Sequence, residues 1–394
     1  MSKPSLPALD PAGLKVAIVH DWLHSLYGSE RVVEQILACF PQAELFTLVD
    51  VMPKGARGLL EEVTVHTSFI QNLPFARRHF RHYLPLMPLA IEQFDLSRFD
   101  LVLSSSHAFA KGVLTTPHQL HLAYVHAPMR YAWEYQHQYL AEAGLDRGLR
   151  SWLLRWQLHR LRNWDFRTGA GPDRLIANSE FIRQRIRRIY RRDAAVIHPP
   201  VRLQDFAPAP RKGDHFIAIS RFAPYKRTEL ICAAFAAMPD LKLKVIGEGA
   251  GRARVRPAPN VELLGTLPRA EVARLLAEAR ALVFAAEEDF GITLVEAQAA
   301  GTPVIAYGRG GALDSIRPAP LPDATGLFFT EQSEGAICQA VRRFLQEESR
   351  FTQDALLRNA ARFSEESFRE RYLALVAAAL DRHQRRGSGS SSAR

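Results

Sequence analysis

The chain has 394 residues, 47% hydrophobic and 23% charged, with 51 Lys and Arg against 41 Asp and Glu, for a formal net charge of +10. That length exceeds what one core usually organises, so two domains are expected, and no run approaches the roughly 18 apolar residues of a membrane span. Cys39, Cys232 and Cys338 are far apart and show no CxxC or metal-ligand spacing, which reads as buried thiols in a reducing cytosol and excludes a disulfide scaffold.

Met1–Leu14 lacks the apolar stretch of a signal peptide. Lys15–His20 is then a first strand, followed by His20-Asp21-Trp22-Leu23-His24-Ser25-Leu26-Tyr27-Gly28-Ser29-Glu30 and a helix over Glu30–Cys39. Ser29 is equally readable as a simple helix N-cap. Glu44–Leu48 and Leu101–Ser104 are further strands, and the segment Ser104-Ser-Ser-His-Ala-Phe-Ala-Lys-Gly112 follows the latter. Leu122–Val125 ends at His126 and a Pro-containing loop flanked by aromatics, Ala127-Pro128-Met129-Arg130-Tyr131-Ala132-Trp133. The Pro-rich crossing from His198 to Gly213 breaks the alternation and is the linker candidate.

A second alternating series begins at Phe216–Ile219 and continues through Leu241–Ile246, Val261–Leu264, Ala281–Ala286 and Val304–Ala306. Strands alternating with helices predict parallel sheets covered on their faces. Arg221 and Lys226 stand five apart between the strand Phe216–Ile219 and a helix over Thr228–Ala237. A fork-shaped guanidinium and a point-like ammonium placed there can converge on one pyrophosphate. The plainer reading is a solvated basic turn.

Val245-Ile246-Gly247-Glu248-Gly249 puts glycines after a strand, where a ligand can approach the backbone or the chain simply turns. A dinucleotide fingerprint is excluded, because GxGxxG needs Gly where Arg252 stands, and no GxxxxGK[ST] phosphate loop occurs. The segment Glu287-Glu288-Asp289-Phe290-Gly291-Ile292-Thr293-Leu294-Val295-Glu296 lies between the strand Ala281–Ala286 and a helix from Thr293 that Gly301-Thr302-Pro303 ends. Free N–H groups at such a helix start suit phosphate. Glu288 and Glu296, seven residues apart, suit sugar and ribose hydroxyls instead. An acidic loop exposed to solvent is the bland alternative.

These segments together resemble retaining glycosyltransferases of the GT-B fold, especially family 4, over roughly residues 15–380. The resemblance implies an α/β chain of two Rossmann-like domains facing each other across a cleft. In the family's E-x7-E element the first carboxylate, matched by Glu288, contacts the transferred sugar, and the second, matched by Glu296, holds the ribose. Asp289 departs from the Gly that often follows the first Glu. Arg221 and Lys226 match the family's R-x4-K element on the donor diphosphate, where negative charge develops as it leaves. The amides of Gly291, Ile292 and Thr293 would meet the phosphates, with Gly247 and Phe290 among the donor-binding residues. Of the family's Gly-Gly pair after the first strand only Gly28 matches, since Tyr27 and Ser29 depart. His126 matches a His near the sugar and is counted as catalytic with Arg221, Lys226 and Glu288.

The expected domains are residues 1–200 on the acceptor side and 213–362 on the nucleotide-sugar side. A helix over 363–383 should pack back toward the first, and 384–394 should form a disordered tail. The wording around His126, with Leu84–Asp95 and Ser104–Gly112, resembles a bacterial subgroup rich in mannosyltransferases for O-antigen and exopolysaccharide. That subgroup implies transfer of mannose from GDP-mannose to a lipid-linked oligosaccharide; no DxD motif or His/carboxylate metal cluster appears, so no metal is expected, and no cofactor. Dense Arg over 147–192, and the mixed basic and apolar segment 69–89, suit a peripheral protein at an anionic inner-membrane surface on its cytoplasmic side. A solvated helix face is the alternative for the Arg-rich stretch. Other readings are a UDP-glucose-type donor, a GT-B sugar-nucleotide epimerase or hydrolase, and a basic nucleic-acid or membrane-binding module. Nucleic acid is disfavoured, because no recognition signature accompanies the charge.

Overall fold

The computed structural model describes residues 13–26, 28–142 and 144–389. The Tyr27 departure, most of the N-terminal segment and the last five residues of the expected tail lie outside them. The chain divides into two units, one of Met1–Pro199 with Phe368–Arg394, the other of Pro200–Ser367.

In the first unit seven strands form one sheet in the order β3-β2-β1-β4-β5-β6-β7. They are β1 (Val16–His20), β2 (Glu44–Thr47), β3 (Val65–Thr67), β4 (Leu101–Ser106), β5 (Leu120–Val125), β6 (Arg174–Ala177) and β7 (Ala195–Val196). Every pairing is parallel. β1, β4 and β5 are buried at every position, as a sheet with both faces covered requires, which is why they read as apolar runs. Alternate residues feed opposite layers: Ile18 joins one core with Leu103 and Leu122, while Ala17 and Val19 join another with Val102 and Phe109.

The last helix, Glu365–Gly389, lays Phe368, Tyr372 and Val376 into the first of these layers. It runs past residue 384, where the tail was expected to begin, and the i,i+4 pair Arg385–Asp381 at 3.0 Å supports the added turn.

The second unit repeats the plan with six strands in the order β10-β9-β8-β11-β12-β13. These are β8 (His215–Ile219), β9 (Lys242–Ile246), β10 (Val261–Gly265), β11 (Leu282–Phe284), β12 (Val304–Tyr307) and β13 (Gly326–Phe329), again all parallel. Its core begins earlier than the expected boundary at 213. Val201 donates to the Phe363 carbonyl at 2.8 Å, Phe206 is buried, and the Lys212 ammonium donates to the Ala277 carbonyl and the Thr302 hydroxyl, both at 2.7 Å. Residues 200–212 are therefore a packed strap. Of the cysteines, Cys39 and Cys232 are buried, but Cys338 is only half-buried, its thiol 3.4 Å from the Ala234 carbonyl.

Both sheets reverse strand order once, between β1 and β4 in the first and between β8 and β11 in the second. In open parallel sheets the crevice beyond the carboxyl ends of the strands at that reversal is where ligands bind.

Candidate active site

In the second unit the sequence-selected residues stand at that reversal. Arg221 and Lys226 follow β8, Gly247 follows β9, and Glu288 follows β11. The Lys226 ammonium pairs with the Glu288 carboxylate, which brings the ends of β8 and β11 together. Arg221 is exposed and makes no ion pair among the described residues. Gly247 holds φ at +137°, and a Cβ there would fall 2.0 Å from the Ser220 carbonyl oxygen. Only glycine lets the chain after β9 pass the chain after β8 so closely.

Gly291 adopts the left-handed conformation and caps the helix Ile292–Ala299 without any side-chain hydrogen bond. The amides of Ile292 and Thr293 thus open a helix whose positive end faces the loop. Phe290, expected among the donor-binding residues, has its ring in the core 5.4 Å from that of Phe363, so only its backbone belongs to the loop surface. Glu296 lies one turn into this helix, and Arg269 holds it at 3.3 Å while also pairing with Asp205 at 2.6 Å. Burial raises the Glu296 carboxyl above its usual range, against the opposing pull of Arg269.

Sequence reading missed a supporting loop, Gly308-Arg309-Gly310-Gly311, after β12. The Gly311 amide donates to the Glu288 carbonyl at 2.8 Å, and a Cβ on Gly311 would sit 2.2 Å from the Phe290 Cα. The paired glycines were the available signal: they let this loop lie directly against the backbone of the acidic one.

In the first unit His126 ends β5, its Nε2 2.8 Å from the Ser105 hydroxyl and its ring 5.0 Å from that of Tyr124. Burial, then the neighbouring His107 and His20, push the His126 ring well below its ordinary value, leaving a neutral imidazole at pH 7. Gly28 caps the helix Ser29–Cys39 at φ +50°, with open space where a side chain would be.

The reversal point of this sheet carries a group that the sequence reading did not single out. Asp21, fully buried just after β1, accepts hydrogen bonds from the backbone amides of His107, Ala108, Phe109 and Ala110 after β4. The His107 ring adds an ion pair at 2.9 Å. Burial opposes the charge on Asp21, but His107 and the amides outweigh it and hold the carboxyl far below its usual range. Burial likewise opposes charging His107, and Asp21 prevails, raising that ring. His20 faces the same place, Nδ1 3.0 Å from the Ser105 carbonyl, and burial pushes its ring down to about 4. Three histidines at the ends of three adjacent strands thus differ in charge tendency: His107 favours the cation, while His20 and His126 favour the neutral ring.

Two all-parallel Rossmann-like units in these strand orders are the architecture of the GT-B fold. Residues 27–205 match the family described as Glycosyltransferase Family 4, and residues 203–364 match Glycosyl transferases group 1. The two matches run end to end and together span residues 27–364.

The D-inositol 3-phosphate glycosyltransferase of Mycobacterium leprae (strain Br4923) is 30% identical over 223 residues, 49% of this chain and 51% of that one. The chain thus spans about half the length of the curated relatives it matches. Among solved structures, Anabaena HepE in complex with UDP is similar with a TM-score of 0.66 at 15% identity, covering 93% of this chain and 100% of that one. Sucrose-phosphate synthase from Thermosynechococcus elongatus has a TM-score of 0.67 at 16% identity, covering 93% and 99%. At such identities the likeness establishes the fold.

Proposed function

We propose that the protein is a retaining hexosyltransferase that takes its sugar from a nucleotide donor and delivers it to a lipid-linked oligosaccharide during assembly of a bacterial surface polysaccharide. The observation that carries this reading is the Lys226–Glu288 pair at the strand reversal of the second unit, beside Arg221 and an uncapped helix start. In the resting protein Glu288 holds the ammonium. An incoming diphosphate competes for Lys226, which releases Glu288 to accept hydrogen bonds from sugar hydroxyls.

As the bond between the anomeric carbon and the β-phosphate oxygen breaks, Arg221, Lys226 and the amides of Ile292 and Thr293 take up the charge gathering on that oxygen. The acceptor hydroxyl then bonds to the same face of the anomeric carbon and passes its proton to the departing β-phosphate oxygen. His126, neutral at pH 7, serves the acceptor side. Glu296 holds the ribose, a role for which a carboxylate oriented by Arg269 is suited.

For the donor we favour GDP-mannose on the sequence subgroup, with UDP-glucose as the second candidate because a fold neighbour is described with UDP and glucose. The site of action we propose is the cytoplasmic face of the inner membrane, with the protein attached peripherally. Among the described residues no helix is long and apolar enough to cross a membrane. A thermal-shift panel of GDP, UDP and ADP sugars, followed by donor consumption with and without acceptor lipid, tests the reading. Acceptor-dependent release of one nucleoside diphosphate supports transfer. Equal release without acceptor indicates a hydrolase or epimerase, and no nucleotide response indicates a binding module.

A further inference from the structure

The helix Gly148–Thr168 carries apolar side chains on two opposite sides. Its inner side buries Ser151, Leu158, Leu161 and Asp165, and Asp165 is locked by Lys111, the Trp133 indole N–H at 2.7 Å and the Tyr190 hydroxyl at 3.1 Å. The opposite side of its first half carries Leu149 at 82% exposure, Trp152 at 64%, Leu153 at 57% and Trp156 at 45%. These positions recur at i, i+3, i+4 and i+7, so they form one continuous stripe rather than scattered exposures. Two tryptophans and two leucines left in water on one stripe are not explained by the fold of the unit, whose core the helix already satisfies from its other side.

Charge says what covers the stripe. Exposed Arg150 and Arg160 flank it, and the Arg160 guanidinium stacks 5.0 Å over the Trp156 ring. The helix has one carboxylate, Asp165, and that one is buried inside. A second copy docking through the same face would set arginine against arginine. An anionic bilayer surface matches both features: tryptophan rings settle at the headgroup level, leucines reach the acyl boundary, and arginines meet lipid phosphate.

We infer that the exposed face of Gly148–Thr168 is the element by which the protein docks on anionic membrane. This deepens the membrane part of the reading above and rests on it, while being independent of which sugar is transferred. Of the two segments the sequence offers for that surface, 147–192 and 69–89, it selects the first; in the second the apolar groups are divided, with Phe69, Phe75 and Leu89 exposed but Ile70, Phe80 and Met87 buried.

The test is flotation of the full chain with vesicles of phosphatidylcholine alone or with phosphatidylglycerol, at low and high salt. Wild type is compared with a Trp152→Ser/Trp156→Ser double variant and an Arg150→Glu/Arg160→Glu double variant. Wild type should float with anionic vesicles at low salt. The tryptophan variant should lose at least about tenfold in partitioning at every salt, and the arginine variant should lose chiefly the salt-sensitive part. Both should keep the wild-type melting temperature, since the altered side chains are exposed. Brominated lipid should quench the fluorescence of wild type far more than that of the tryptophan variant.

Wild type floating while the tryptophan variant floats equally would overturn this helix as the anchor and leave the membrane reading standing. Wild type failing to float under any condition would overturn both. A wild-type dimer that the tryptophan substitutions dissociate would make the stripe a self-association surface and overturn the proposal.

Discussion

Replacing Asp21 by Asn isolates what the buried carboxylate does. In the native unit each carboxylate oxygen accepts from two backbone amides, Oδ2 from His107 at 2.6 Å and Ala108 at 3.1 Å, Oδ1 from Phe109 at 2.5 Å and Ala110 at 2.8 Å. Asparagine keeps the shape and one acceptor oxygen. Its amide nitrogen turns a donor toward the other two N–H groups, which are left unsatisfied in a fully buried place. At about 1–3 kcal/mol for each stranded donor the loss is about 2–6 kcal/mol, a large share of the ~5–15 kcal/mol that holds a typical domain folded.

For a unit of this size the loss should lower the melting temperature by on the order of 10 °C. Differential scanning calorimetry of the full chain should show it in one transition only, because Asp21 belongs to the first unit alone. The sign with pH is also set. His107, raised by Asp21, adds stability that is fully present below its unfolded value and fades as pH rises through its folded value. That component should vanish in Asp21→Asn. A destabilisation under about 1 kcal/mol with the pH profile unchanged would refute the account of this cluster.

Glu296→Ala should weaken binding of a bare nucleoside diphosphate in calorimetry by about tenfold, whereas Glu288→Ala should bind it at least as well as wild type, since Lys226 loses its resting partner; the opposite pattern would reverse the two assignments. His126→Ala should cut transfer by about 10²-fold, the scale for misplacing a reacting group, with nucleotide affinity unchanged; lost affinity would move His126 out of the acceptor role. His20 and His121, both fully buried and pushed down to about 4 from an ordinary 6.5, take up protons on unfolding below that value. Stability should therefore fall as pH drops from about 6.5 to 4, by up to about 3 kcal/mol for each ring. Urea melts that show no loss across this window would contradict the burial of the two rings.

Much of this was legible because the central strands of covered parallel sheets must be apolar throughout. β1, β4, β8 and β11 announce themselves as charge-free runs, and the residues just after them are then candidates by position alone. β6 and β7 gave no such signal: β6 starts on Arg174 inside an arginine-dense stretch, and β7 is two residues long. The Asp21–His107 cluster could not be read either, although both residues stood in plain view. They are 86 positions apart, and they meet only because β1 pairs with β4 in the register that sets His20 beside Ser105. Phe290 misled for the converse reason. Its neighbours belong to the loop surface, but its ring finds Phe363, a contact that no local pattern encodes.

The most direct test of the central claim is transfer of labelled sugar into the lipid fraction from a panel of nucleotide sugars, comparing wild type with Lys226→Ala. The account predicts acceptor-dependent label from one donor, lowered by roughly 10²–10³ in the variant, the scale for losing one preorganised charge-stabilising group. Label from no donor with folded wild type, or equal transfer by Lys226→Ala, would contradict it.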